Sequence, residues 1–159
     1  MSPIRVLIAD DQALVRGALA TLLGLESDLV VVAQVGRGDE VLDAVREHAV
    51  DVALVDIDMP GRDGLAATAE VVGSDLPCRC LIVTTFGRPG YLSRGMEAGA
   101  AGFIVKDTPP EALAEAIRKV HAGLRVIDPE LAQESVLLGP NPLTEREKEV
   151  LLAAATGAD

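Results

Sequence analysis

Aromatic side chains are nearly missing from this chain. Of its 159 residues two are Phe, one is Tyr and none is Trp. Any core must therefore be built from Leu, Val, Ile and Ala. Soft metal ligands are as scarce: two cysteines, Cys78 and Cys80, and two histidines, His48 and His121. That set is too thin and too scattered for a structural zinc site. The cysteines lie two apart in a strand-like segment, so they share a face and are badly placed to pair. They read as free thiols of a cytoplasmic protein. Positive charge is short as well. Fourteen Lys and Arg stand against twenty-five Asp and Glu, a net charge of −11. A surface this acidic repels phosphate backbones, so this stretch is not expected to bind nucleic acid or an anionic membrane by itself. No apolar run is long enough to span a bilayer. Residues 1–5 lead straight into a strand without the layout of a signal peptide, which again points to the cytoplasm.

What is plentiful is apolar sequence, 49% of the chain, arranged in short runs that end in polar residues. Val52-Ala53-Leu54-Val55 stops at Asp56, and Pro60-Gly61 follows as a turn. Val6-Leu7-Ile8-Ala9 runs into Asp10-Asp11, Leu81-Ile82-Val83 into Thr84-Thr85, and Phe103-Ile104-Val105 into Lys106. Short apolar runs closed by turn signals read as strands buried on both faces. Strands are expected over residues 5–9, 29–35, 52–55, 80–84 and 102–105. Helices are expected between them over 12–23, 39–48, 65–72 and 89–98, and after the last strand from 109 to Gly123. Asp11 is a candidate N-cap for the first helix. Thr108-Pro109-Pro110-Glu111 combines a capping box with Pro at the first helical position. The fold class is therefore α/β: a doubly wound, five-stranded parallel sheet of order 2-1-3-4-5.

In such a sheet ligands bind beyond the carboxyl ends of the strands, at the switch between strands one and three. Asp10, Asp11 and Asp56 meet there. Three clustered carboxylates call for a cation, and an all-oxygen ligand set suits Mg²⁺. A carboxylate beside Mg²⁺ is a nucleophile for phosphoryl groups, with Lys106 as a point charge and the Thr84 hydroxyl as a hydrogen-bond donor to phosphate. The Asp56-Ile57-Asp58 triplet also fits a phosphatase of the haloacid dehalogenase type. There, however, the metal-binding acids follow the Asp-x-Asp rather than precede it, and no cap domain is present here.

These residues resemble those of the receiver domain of bacterial two-component response regulators. Asp10-Asp11 matches the acidic pair, Asp56 the phosphoacceptor, Thr84 the switch hydroxyl, Phe103 the switch aromatic and Lys106 the family's lysine. The match runs over residues 4–123. The resemblance implies a flavodoxin- or CheY-like fold, phosphorylation of Asp56 by a sensor histidine kinase, and Mg²⁺ held by Asp10, Asp11, Asp56 and the backbone carbonyl of Asp58. Asp58 is an extra acid two residues past the phosphoacceptor. Pro142-Leu143-Thr144-Glu145-Arg146-Glu147 resembles the first helix of a LuxR-type helix-turn-helix, as in the NarL/FixJ class of transcription regulators. Thr84-Thr85-Phe86-Gly87-Arg88-Pro89-Gly90-Tyr91 further resembles a DesR-like subgroup. The expected organisation is a receiver over 1–123, a linker with a short helix capped by Asp128 over 124–142, and the opening helix of an incomplete DNA-binding domain over 143–159. Promoter DNA would then be bound only through the part of that domain beyond this stretch.

One helix stands apart. Between Gln12 and Leu25 the only charged residue is Arg16. A helix that covers a sheet normally turns a polar side to solvent; this one presents Leu14, Ala18 and other small or apolar residues. Small residues Ala112 and Ala116 lie on the last helix, its expected neighbour. An exposed apolar patch marks an interaction surface. The expectation, which the resemblance shares, is a homodimer through the first and last of these helices, with Leu14, Ala18, Ala112 and Ala116 at the interface.

Overall fold

The computed structural model describes residues 2–84 and 91–128. In chain order these form β1 (Ile4–Ala9), α1 (Ala13–Leu23), β2 (Leu29–Val35), α2 (Val41–His48), β3 (Val52–Asp56), α3 (Gly64–Gly73), β4 (Arg79–Thr84), α4 (Tyr91–Ala98), β5 (Gly102–Val105), α5 (Pro110–His121) and β6 (Val126–Ile127). A single 3₁₀ turn, Gly38–Glu40, leads into α2. The expected helices over 128–138 and 144–156, and the start of the fourth helix at Pro89, lie outside the described residues.

All the strands run parallel in one sheet of order β2-β1-β3-β4-β5-β6. The central strand β3 is buried along its whole length. Alternation along the strands then divides the core in two. Val6, Ile8, Val52, Leu54, Leu81 and Ile104 point to one face, where Leu23 of α1 and Leu113, Ile117 and Val120 of α5 cover them. Leu7, Ala9, Ala53, Val55 and Cys80 point to the other, against Val41 and Val45 of α2 and Ala67 and Val71 of α3. Ile82 and Phe103 extend that second face towards Leu92 of α4. Cys78 and Cys80 are both buried and unbridged on that face. The Cys78 thiol is pushed well up by its hydrogen bond with Cys80 and by burial, as expected of inert core thiols.

The structure departs from the sequence expectations in four places. The sheet has a sixth strand: beyond the turn at Gly123, with φ 94°, the chain returns to pair Val126 and Ile127 with Gly102 and Phe103. Asp11 does not cap α1. The N-cap position is Gln12 without a side-chain hydrogen bond, and the Gln12 amide is bound instead by Asp10 Oδ1 at 2.8 Å. Thr108 does not form a capping box. Pro109 takes the N-cap position, with Pro110 opening α5, and the buried Thr108 hydroxyl has no hydrogen-bond partner. The tandem prolines place the N-cap one residue later, at Pro109, which has no side-chain oxygen to accept a capping hydrogen bond. Finally, Ala116 is only 5% exposed and belongs to the core under α5, whereas Ala112 is exposed.

Candidate phosphoacceptor site

Strand register builds the site. Ala9 is level with Val55, so the next residues, Asp10 and Asp56, come side by side at the carboxyl ends of β1 and β3. Asp56 is level with Val83, which sets Thr84 one residue further along the rim. Thr84 is level with Val105, and the Lys106 amide donates to the Thr84 carbonyl at 2.8 Å. The convergence expected of parallel neighbours is therefore present. Asp10, Asp56 and Thr84 are buried, and Lys106 is partly so.

Asp10, Asp11 and Asp56 each offer a carboxylate oxygen within 4.8 Å of the others. Lys106 Nζ donates to Asp56 Oδ2 at 2.9 Å and lies 3.9 Å from Asp10 Oδ2. One ammonium thus faces three carboxylates. Burial pushes the Asp56 carboxyl above its ordinary value; the hydrogen bond and charge of Lys106 oppose this, and Asp10 adds to it. For Lys106 partial burial acts against the charge, but Asp56, then Asp10 and Asp11, outweigh it and hold the ammonium above its ordinary value. The two partners respond differently because their settings differ. The Asp56 side chain is 3% exposed, that of Lys106 28%, so desolvation weighs more on the acid. The cluster keeps an excess of negative charge that a single lysine does not neutralise. A hard divalent cation fits such an all-oxygen set.

The loop after β3 forms the outer wall. Asp58 is exposed, and its amide faces Asp56 Oδ1 at 3.4 Å. Asp11, Asp58, Met59, Pro60 and Asp63 line an open cleft of about 450 Å³ beside the carboxylates. Asp63 caps α3 by accepting from the Ala66 amide at 2.8 Å, which fixes the loop's far end. Phe103, the expected switch aromatic, is fully buried. Its ring fills a notch in α4: a Cβ at Gly95 would stand 1.8 Å from Cζ of the ring.

Of the expected interface residues, Leu14 is 90% exposed, and Ala18 and Ala112 are exposed. Sequence reasoning passes over one residue of the site's surroundings. Arg16 Nη1 donates to the Asp10 carbonyl at 2.5 Å. Its signal in the sequence is its isolation, as the single charge in an apolar helix.

The comparisons with known proteins agree with this geometry. Residues 6–118 match the model of the response regulator receiver domain. The chain is 46% identical over 154 residues to the transcriptional regulatory protein DesR of Bacillus subtilis (strain 168), covering 97% of this chain and 76% of DesR. Response regulator GacA of Pseudomonas aeruginosa is 37% identical over 161 residues, 96% of this chain and 75% of GacA. Among solved structures, a LuxR-family two-component response regulator from Aurantimonas sp. SI85-9A1 superposes with a TM-score of 0.79 at 31% identity, covering 86% of this chain and 97% of that one. The receiver domain of the putative response regulator NarL from Mycobacterium tuberculosis gives 0.74 at 32% identity, covering 77% and 99%. The chain therefore belongs to the two-component response regulator receiver family, among relatives of the LuxR and NarL type.

Proposed function

We propose that this domain accepts a phosphoryl group on Asp56 from a sensor histidine kinase. The observation that carries the reading is the contact of Lys106 Nζ with Asp56 Oδ2 at 2.9 Å, inside a cluster of three carboxylates. An Asp56 carboxylate oxygen attacks phosphorus. The bond from phosphorus to the kinase's histidine nitrogen breaks, and the imidazole leaves with the electron pair and takes up a proton. Asp10, Asp11, Asp56 and the backbone carbonyl of Asp58 would hold Mg²⁺, which when bound offsets charge on the transferring oxygens. Lys106 exchanges its hydrogen bond to Asp56 for one to a phosphoryl oxygen. Thr84, at the next strand end, donates its hydroxyl to another. These two movements pull the ends of β4 and β5 towards Asp56.

The output in this reading is self-association through α1 and α5, and through it DNA binding by a helix-turn-helix that begins at about residue 143. Residues 124–142, of which Val126–Ile127 form β6 at the edge of the sheet, link the two parts. The domain works in the cytoplasm; among the described residues no helix is long and apolar enough to cross a membrane. The test is incubation with Mg²⁺ and a small acyl phosphate, followed by intact mass. One phosphoryl group is expected with Mg²⁺ and none with EDTA. Asp56→Asn removes the nucleophile and should abolish uptake; undiminished labelling of that variant would falsify the assignment.

A further inference from the structure

The amino-terminal half of α1 is held by little apolar packing. Its one buried residue, Leu23, lies at the far end. Leu19 and Ala20 pack partly against the core, while Ala13 and Leu14 are exposed. The first turn has neither an acidic residue nor a side-chain cap. What fastens this end is Arg16, through its 2.5 Å hydrogen bond to the Asp10 carbonyl. The guanidinium also lies against the tip of β2, where a Cβ on Gly36 would come within 3.0 Å of Nη1. That glycine leaves room for the arginine.

Asp10 is consequently held on several sides. Its amide donates to the Val35 carbonyl at 3.0 Å, its carbonyl accepts from Arg16, and its Oδ1 accepts from the Gln12 amide. Its Oδ2 is left facing Lys106 at 3.9 Å. Repulsion from Asp11 and Asp56 pushes the Asp10 carboxylate outwards, and a charge-assisted bond on its own carbonyl resists that displacement.

We propose that Arg16 is a positioning residue for the cation site: it fixes the Asp10 main chain so that the Asp10 and Asp11 carboxylates stay aimed at the divalent cation. The inference rests on the reading of the acidic cluster as a Mg²⁺ site. Groups that hold a metal ligand from behind typically contribute about 10–100-fold in metal affinity. The sign of the effect separates this role from simple electrostatics. Removing a positive charge near a dication binding site should tighten Mg²⁺ binding through Coulomb's law; loss of a positioning contact should weaken it.

The test is calorimetric titration of the full chain with Mg²⁺ and no phosphodonor. Failure of the wild type to bind would overturn the site reading itself, before any variant is considered. Given wild-type binding, Arg16→Met keeps the side-chain length without donors and should bind about 10-fold more weakly. Arg16→Lys keeps one donor and the charge and should recover part of the loss. Gly36→Ala keeps the arginine but crowds it, and should also weaken binding. If Arg16→Met does not fold, the other two variants decide. Unchanged or tighter binding in Arg16→Met, or in Gly36→Ala where Met does not fold, overturns the proposal. So does a Lys variant as weak as the Met variant.

Discussion

Helices α1 and α5 lie on the same face of the sheet and are held there by different means. α5 buries Leu113, Ala114, Ala116, Ile117 and Val120 and turns charge outwards. Its last turn carries Arg118, Lys119 and His121, which suits the negative end of the helix dipole. α1 is the more apolar of the two in sequence, yet it buries one residue and exposes Leu14 and Leu22. Apolar content therefore does not measure how deeply a helix is seated. α5 is a helix anchored along its length. α1 is fastened at its two ends, by Leu23 at one and Arg16 at the other, with an apolar outer surface between them. A surface of that kind on a −11 domain is the part that another protein surface can cover with least desolvation of charge.

The contrast breaks most visibly in α5. Ile117 is fully buried, so Ile117→Ala should lower stability by about 2–5 kcal/mol. Against a total of about 5–15 kcal/mol for a domain, this is a large shift in a urea midpoint. A smaller effect is expected at the seam between the helices. Arg118 on α5 binds Asp28 at 2.8 Å and Glu26 at 2.5 Å in the segment after α1. Its hydrogen bond holds the Asp28 carboxyl below its ordinary value. A carboxylate with a lowered folded pKa stabilises the fold above its unfolded pKa, and that stability is lost as pH falls through the folded value. Arg118→Ala should thus be less stable than wild type at neutral pH, with the gap narrowing as the pH is taken below about 4. A pH-independent gap in urea midpoints would count against this account. The smallest effect on stability is expected in α1. Leu14→Glu and Ala18→Glu should shift monomer stability by no more than about 0.5 kcal/mol. Both should weaken self-association of the phosphorylated protein in sedimentation while leaving phosphoryl uptake intact. An unchanged assembly in both would move the interface off this helix.

The sheet was legible because its strands are buried on both faces and end in polar residues. Apolar runs that stop at Asp10, Asp56, Thr84 and Lys106 mark both the strand and the rim. The site followed from those same stops, since parallel register brings successive strand ends together. The failures have local causes. At the head of α1 two adjacent acids compete for one free amide, and Asp10 rather than Asp11 reaches it; composition does not separate them. At the head of α5 the pattern of a capping box is met, but tandem prolines decide where the helix starts. Ala116 lies four residues along from Ala112, and four steps of a helix overshoot one turn by about 40°, so that Ala116 reaches the core while Ala112 stays exposed. β6 is two residues long and carries no strand signal of its own. It is templated by the open edge of β5, where the Val126 amide finds the Ala101 carbonyl and the Asp128 amide that of Phe103. Arg16 shows the opposite failing, a plain signal in the sequence whose partner, a backbone carbonyl, leaves no trace there.

That sixth strand decides where the chain goes next. Had the chain left the sheet at Gly123, it would have departed from the amino-end side, the side remote from Asp56. Two residues of parallel pairing turn it back along the first half of β5, so that Asp128 emerges beside β5 with its amide on the Phe103 carbonyl. The main chain is thereby headed towards the rim that holds Lys106, which follows Phe103 by three residues. Whatever residues 129–159 do, they are paid out from an edge whose neighbouring strand ends in the lysine that holds Asp56. A shift of β5 along its own axis is a shift of the point from which the rest of the polypeptide departs.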